Sequence, residues 1–301
     1  MNRSMASAWA LVLLALAIPA VVASGAPLPS APADEVAAVR DAIAREDSDG
    51  AIALAERLVA SEPRSSVARV WLGRALGQKA LRSSVFSQIS WGKKCKKAFE
   101  EAVALDSENL DARFELVRYL FVAPGLAGGG HDLARAQIAE IARRNGARGL
   151  VAEGSLKAHE KDLAGAEAAF RRAIEMAPAD PAAASALGSF LLRQKRTSEA
   201  VAFWKARVDA GPSDLLARYG FARAALASGT GLAEAADGLR AYLLVPPPPD
   251  GPSWADARWR LGLVMEKLGR KQDAIRELEE ALRLVPGHTG VKKDLERLRK
   301  A

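Results

Sequence analysis

The side chains able to carry chemistry are few and widely spaced in this chain. Its three histidines, His131, His159 and His288, have no metal-ligand spacing among them, and we expect each to be a surface or loop residue. No serine stands in a nucleophile elbow, and the acidic residues recur at helical spacing beside Lys and Arg, which is typical of a solvated helix face. These residue types predict a protein that is not an enzyme and that uses no metal or cofactor.

A run of glycines at residues 128–130 is the one pattern with a possible phosphate-binding role. Backbone N–H groups of a glycine-rich loop before a helix can hold phosphate, but a P-loop would continue with Gly-Lys and then Ser or Thr. His131 and Asp132 follow instead, and Asp132 would repel an anion while serving as a helix N-cap. We therefore expect a flexible loop capped by Asp132.

The charge balance is basic, with a formal net charge of +7. The positive charge clusters at Lys93, Lys94, Lys96 and Lys97 and again within residues 292–300. Basic patches attract phosphate in general, but no nucleic-acid-binding motif is visible. We interpret the charge as favouring acidic proteins or anionic envelope surfaces as partners, and not DNA or RNA.

A period of 34 residues organises the middle of the chain. Gly154 returns as Gly188, Ala166 as Ala200, Phe170 as Trp204 and Pro178 as Pro212. A fixed period of this size indicates an array of structural repeats, each of which buries its apolar face against its neighbours.

The clearest single copy spans residues 255–288. Its apolar and small residues recur at helical spacing on two successive helices: Leu261, Gly262 and Met265, then Ala274, Leu278 and Ala281. Gly269 lies between the two helices, where a tight helix end needs a positive φ. Pro286 ends the second helix.

This pattern resembles the tetratricopeptide repeat (TPR). The resemblance implies an all-α fold, a right-handed α-solenoid of about seven helical hairpins with a C-terminal capping helix. The expected repeats are residues 34–65, 66–109, 110–146, 147–180, 181–214, 215–249 and 255–288, with the cap at 291–300. The sole cysteine, Cys95, stands where the second helix of a repeat needs a small residue, and we expect it to be buried with no disulfide within the chain.

Residues 1–26 have the pattern of a secretory signal peptide. Arg3 precedes an apolar run at residues 8–22, and small residues follow up to Ala26. An uncleaved anchor is the alternative, although the run is shorter than the roughly 20 residues that a spanning helix needs. Residues 27–33 then read as a Pro-rich linker. We expect a periplasmic or secreted protein whose mature form has no membrane span.

The TPR resemblance implies that the first helix of each repeat lines a groove for protein or peptide partners. Mapped on this chain, one row contains Phe114, Tyr219 and Trp259, and a second row, one turn on, contains Arg74, Arg118 and Arg223. Aromatic residues and arginine are the types that anchor interfaces. The alternative is that the aromatic rings only pack between repeats. Chaperone-binding members of the family clamp a terminal carboxylate with Lys and Asn at set positions of their first helices. This chain does not match that clamp, because Val70, Phe114 and Val151 stand at one of those positions.

Two consecutive repeats carry extra residues between their helices. The first extra segment contains Phe86, Ile89 and Trp91, and the second contains Phe121 and Leu126 before the glycine run. If the two segments were exposed separately, each would leave large apolar side chains in contact with water, which favours aggregation. We therefore expect the segments to pack together as a lateral lobe with a mobile tip. Such a lobe either forms a second contact site or braces the two repeats.

Two functions remain open from the sequence. The first is a non-catalytic exported scaffold that binds protein or peptide partners, possibly acidic ones, through its groove. The second is an accessory subunit of an envelope enzyme or of an export or assembly complex.

Overall fold

The structure, a computed structural model, describes residues 33–248 and 251–300, and in these ranges it consists of helices joined by turns, with no strand. The predicted signal peptide lies outside the described residues. The α-helices are α1 (Ala33–Ala44), α2 (Ser48–Ser61), α3 (Ser66–Arg82), α4 (Val85–Leu105), α5 (Leu110–Val122), α6 (His131–Arg144), α7 (Gly146–His159), α8 (Leu163–Met176), α9 (Pro181–Arg193), α10 (Thr197–Ala210), α11 (Leu215–Ser228), α12 (Leu232–Leu243), α13 (Trp254–Lys267), α14 (Lys271–Leu284) and α15 (Thr289–Lys300). A short 3-10 helix, Gly125–Ala127, lies between α5 and α6. The predicted fold class, an all-α solenoid of helical hairpins, is confirmed.

The helices form two compact units, and the division falls within α9, between Ala183 and Ala184. In the N-terminal unit the odd-numbered helices lie side by side, because α1 contacts α3, α3 contacts α5, and α5 contacts α7. In the C-terminal unit α11 contacts α13 in the same way. Each of these helices also packs on the helix that follows it. In each unit these helices are therefore the first helices of the pairs, and the predicted partner-binding residues lie on them.

Side-chain caps fix where many of the helices begin. The carboxylate, amide or hydroxyl oxygen of each capping residue accepts a hydrogen bond from a backbone N–H of the first turn; the residues are Asp47, Ser65, Asn109, Asn145, Asp162, Asp214 and Ser253. The expected cap at Asp132 was wrong, because α6 begins at His131 after Gly130. Asp132 instead lies within the first turn, fully exposed, and pairs with Arg135.

A close approach between a glycine and a ring joins the two helices of several pairs. A Cβ added at Gly73 would lie 2.3 Å from Phe99, at Gly154 2.6 Å from Phe170, and at Gly188 2.4 Å from Trp204. These distances are too short for any side chain, so the repeated glycine is required where the ring of the second helix meets the first. The small residue of the second helix is buried as well, as Ala166 and Ala281 show.

The first insertion is helical and does not form a loop. It lengthens the pair to 17 residues in α3 and 21 in α4, against 14 in each of α13 and α14. No proline lies between Ser84 and Leu105 to end the helix. Phe86 is consequently 91% exposed on the first turn of α4, while Ile89 and Trp91 are partly buried against the core.

The second insertion is held by hydrogen bonds. The Tyr119 hydroxyl donates to the Ala127 carbonyl at 2.7 Å, and the Gly130 N–H donates to the Leu120 carbonyl at 2.8 Å. This segment does contact α4, because Lys96 lies over Gly128. The prediction that the two extra segments bury each other's apolar side chains was nevertheless wrong. Phe86 and Leu126 are both exposed, and Phe121 of α5 is buried. The tip that the sequence predicted to be mobile is a turn closed by these hydrogen bonds.

Cys95 and His288 are both interior residues. The Cys95 thiol donates to the Gly73 carbonyl at 3.2 Å and is buried, as the sequence predicted. His288 lies in the turn before α15, in agreement with the expected surface or loop position, but it is only 8% exposed. Its ring packs edge-on against Trp259, with 5.1 Å between ring centroids, because α15 covers the end of the last pair.

Candidate partner-binding surface

In the N-terminal unit, Arg74 of α3 and Arg118 of α5 converge on one carboxylate, that of Glu115. The Arg74 Nε lies 2.8 Å from one oxygen of Glu115, and Arg118 forms an ion pair with the other. Burial alone would raise the pKa of Glu115, but Arg118 and Arg74 outweigh burial and lower it. The two predicted arginines of this unit therefore share an internal carboxylate, which neutralises part of their charge.

Aromatic rings flank this group. The Arg74 guanidinium lies over the Trp71 ring, 4.5 Å from its centroid, in cation–π geometry. Phe114 is partly buried and packs against the apolar core of the unit. Packing alone thus accounts for the position of Phe114, and a partner-binding role for it stays a prediction.

In the C-terminal unit, three arginines lie on three successive first helices: Arg193 at the end of α9, Arg223 on α11 and Arg260 on α13. None of them forms an ion pair with a carboxylate of residues 33–248 or 251–300. Burial, together with the charge of Arg223, lowers the pKa of Arg193. Burial also lowers the pKa of Arg223, to which Arg260 contributes. The unit therefore holds a row of positive charge, partly buried at Arg223 and Arg260 and exposed at Arg193, with no internal counter-ion in the described chain.

Tyr219 and Trp259 border this row. The Tyr219 hydroxyl interacts with Arg260, and burial raises its pKa. The Arg260 guanidinium lies 4.5 Å from the centroid of the Trp259 ring. Trp259 also donates from its indole N–H to Asp294 of α15 at 2.8 Å. Trp259 therefore has a packing role under the capping helix, whatever partner it contacts.

Sequence reasoning missed four of these residues, namely Trp71, Glu115, Arg193 and Arg260. The repeat register contains the signal for two of them. Counted from Leu110 and Ala255 as first residues of their repeats, Glu115 and Arg260 both stand sixth. A comparison of the sixth position across the repeats would have placed Glu115 beside Arg74 and Arg118, and Arg260 beside Arg223.

The fold also brings together two histidines that the sequence separates. The rings of His131 and His159 are edge-on, with 5.7 Å between centroids, and His131 Nδ1 lies 2.9 Å from Glu160. Burial, with the neighbouring His131, lowers the pKa of His159. No group of three or more side chains suited to hold a metal ion occurs in the part of the chain that the structure describes. Among the same residues, no helix has the length and apolar character to cross a membrane.

Comparisons with known proteins agree with this architecture. A family model described as Tetratricopeptide repeat matches residues 255–288, and a second model of the same description matches residues 36–80 and 152–214. No curated protein sequence matches the chain.

Solved structures of repeat proteins are similar in fold. A tetratricopeptide repeat protein from Parabacteroides merdae is 14% identical over 89% of this chain and 98% of its own, with a TM-score of 0.47. A thermophilic TPR protein from Thermus thermophilus is 21% identical over 64% of this chain and 98% of its own, with a TM-score of 0.44. Human IFIT1, solved as a dimer with m7Gppp-AAAA, is 13% identical over 84% of this chain and 59% of its own, with a TM-score of 0.51. The matched segments, together with the repeated helical pairs, show that the chain carries tetratricopeptide repeats in residues 36–80, 152–214 and 255–288.

Proposed function

We propose that this chain is a non-catalytic, exported scaffold that binds protein or peptide partners along its first helices. TPR proteins generally act as protein-interaction scaffolds. The observation that carries the proposal is the arrangement of Arg74 and Arg118 in one unit, and of Tyr219 and Arg223 in the other, on first helices that lie side by side. Arginine and aromatic residues supply large contact areas and directed hydrogen bonds, which is why they dominate binding energy at interfaces.

Partner capture tests this function. The tagged mature chain, incubated with an extract of the native envelope, should retain a defined protein. A variant with Arg74→Ala and Arg223→Ala should lose that protein, because two anchors of the surface are removed. A matched variant with Arg143→Ala and Arg276→Ala, at exposed positions on second helices, should keep it. Equal capture by both variants would refute the proposed surface.

The same experiment separates the two candidate roles. A stable complex of fixed stoichiometry that survives gel filtration would favour an accessory subunit of a larger envelope assembly. Rapid release on washing, with recovery after crosslinking, would favour an adaptor that captures peptides transiently.

The exported location rests on the N-terminal pattern. Arg3, the apolar run at residues 8–22 and the small residues before Pro27 support export with removal of the leader. Mass spectrometry of the protein from the native envelope fraction should find Ser24 or Pro27 as the first residue. An intact Met1 on that protein would contradict cleavage.

A further inference from the structure

The two arginine groups differ at one equivalent position of the repeat. In the N-terminal unit, the sixth residue of a repeat is Glu115, which pairs with Arg74 of the preceding first helix. In the C-terminal unit, the sixth residue is Arg260, and the preceding first helix carries Arg223 at the place equivalent to Arg74. The carboxylate of Glu115, which neutralises part of the positive charge in the N-terminal unit, is thus replaced in the C-terminal unit by the positive charge of Arg260.

The C-terminal arginines have no carboxylate partner among the described residues. The Nε of Arg260 is buried and has no hydrogen-bond partner in the part of the chain that the structure describes. Arg193 and Arg223 likewise form no ion pair with any described carboxylate. Asp256, whose charge acts on Tyr219, is already engaged in the capping box with Ser253. Leaving a buried charged donor unpaired costs more than an ordinary hydrogen bond contributes.

The arrangement is a row and not a ring. The three arginines lie on three successive first helices, and α11, which carries Arg223, packs against α13, which carries Arg260. A row across three helices suits several anionic groups spaced along an extended ligand. A single phosphate would need the three guanidinium groups to converge on one point.

We infer that the row of Arg193, Arg223 and Arg260 is a binding site for the carboxylates of an acidic peptide segment. The ligand's carboxylates would supply, in the C-terminal unit, the negative charge that Glu115 supplies to Arg74 and Arg118 in the N-terminal unit. Each planar guanidinium can accept a carboxylate in bidentate geometry. Partial burial strengthens these contacts, since the charges are less screened by water. This inference rests on the proposed function, for which it names the chemistry of the partner.

Titration with a defined peptide tests the site. Fluorescein-labelled hexaglutamate should bind the full mature chain at low ionic strength, as measured by fluorescence anisotropy, and added salt should weaken the binding. The variant Arg260→Glu should weaken it about tenfold to a hundredfold, because an internal carboxylate would then pair with Arg223. The same charge change at Arg276, an exposed residue of α14, should leave the affinity unaltered.

Further measurements test whether the variants are folded and whether a different ligand binds the site. Arg260→Glu is expected to fold, because the N-terminal unit already has glutamate at that position, and circular dichroism checks this. Arg193→Gln with Arg223→Gln, which keeps polar side chains in place, should also weaken hexaglutamate binding. Unchanged affinity in both variants overturns the inference. Tighter binding of inorganic phosphate or of a single-stranded RNA hexamer, lost in Arg260→Glu, would overturn it in favour of that ligand.

Failure of the site and failure of the scaffold function are distinguishable. If the partner captured from the envelope is retained by Arg260→Glu, the scaffold function stands and the acidic-segment site is overturned. If no partner is captured while hexaglutamate binding still depends on the row, the acidic-segment site stands and the scaffold function fails.

Discussion

Glu115 is the residue whose ionisation couples most directly to the stability of the first-helix surface. It is buried, and Arg74 and Arg118 lower its pKa despite the opposing effect of burial. A carboxyl group whose pKa is lower in the folded chain stabilises the fold at every pH above its unfolded pKa of about 4.3. That contribution is lost as the pH falls below this value and passes through the folded pKa.

Glu115→Gln should therefore destabilise the N-terminal unit at neutral pH and have a smaller effect in acid. We expect a loss of about 2–3 kcal/mol at pH 7, less than for a fully buried pair, because both arginines keep some exposure to water. Urea unfolding of the two chains at neutral pH and below pH 4 measures the difference. The exposed Glu100→Gln is the control, and a loss that grows on acidification would contradict this account.

At the scale of the helix pair, the buried small residues should control stability. Ala166→Leu would force a larger side chain into the contact between α7 and α8, where Ala166 is fully buried, at a cost of about 1–3 kcal/mol. Ala168 lies on the same helix but is exposed, so Ala168→Leu should change stability by less than about 0.5 kcal/mol. Urea unfolding midpoints compare the two. Equal midpoints would show that the helices of this pair do not approach as described.

The extra residues of α4 and of the turn after α5 lead to a second prediction at this scale. Phe121→Ala should cost about 3–5 kcal/mol, since the ring is buried and packs on His159. Phe86→Ala should be nearly neutral, because Phe86 is almost fully exposed. The double variant should lose the sum of the two within about 0.5 kcal/mol. A marked departure from additivity would support the mutual cover first expected from the sequence.

Helix pairs were predictable from the sequence where the repeat period was unbroken, and less so elsewhere. Gly154, Gly188, Ala166 and Ala200 recur because backbone and ring must approach at the same place in each pair, so their spacing is fixed by geometry. The extra residues obey no such constraint, and their apolar content was compatible either with a loop packed on its neighbour or with longer helices. Phe86 and Leu126 were misjudged because apolar character alone does not establish burial.

The charged surface was predictable only in part for a related reason. Residue type and repeat position indicated Arg74, Arg118 and Arg223. Whether an arginine is neutralised depends on which side chain a neighbouring helix brings beside it. This was visible only when α3 was placed beside α5 and α11 beside α13. The contrast between Glu115 and Arg260 emerged in this way.

At the scale of the whole molecule, stability in a repeat array is a sum of individual pairs and their contacts with neighbours, so an uncovered last pair should weaken its end of the array. Leu295 of α15 is buried, and Trp259 is contacted by Asp294 of α15 and by His288 in the turn before it. Leu295→Asp should remove about 1.5–3 kcal/mol of apolar burial and expose the last pair.

Dye binding and size-exclusion chromatography measure that outcome. We expect increased fluorescence of an apolar-surface dye and self-association for Leu295→Asp. Lys293→Asp, on the exposed side of the same helix, should behave like the unaltered chain. An unaltered dye signal for Leu295→Asp would show that α15 does not act as a cover.

The buried thiol has a practical consequence for experiments on this protein. Cys95 is the sole cysteine of the chain, burial raises its pKa, and only the thiolate reacts readily with alkylating reagents. A cysteine introduced at an exposed position, such as Lys93 or Arg276, should therefore react with maleimide while Cys95 stays unmodified in the folded state. Spectroscopic probes can then be attached at one chosen site without first replacing the native residue.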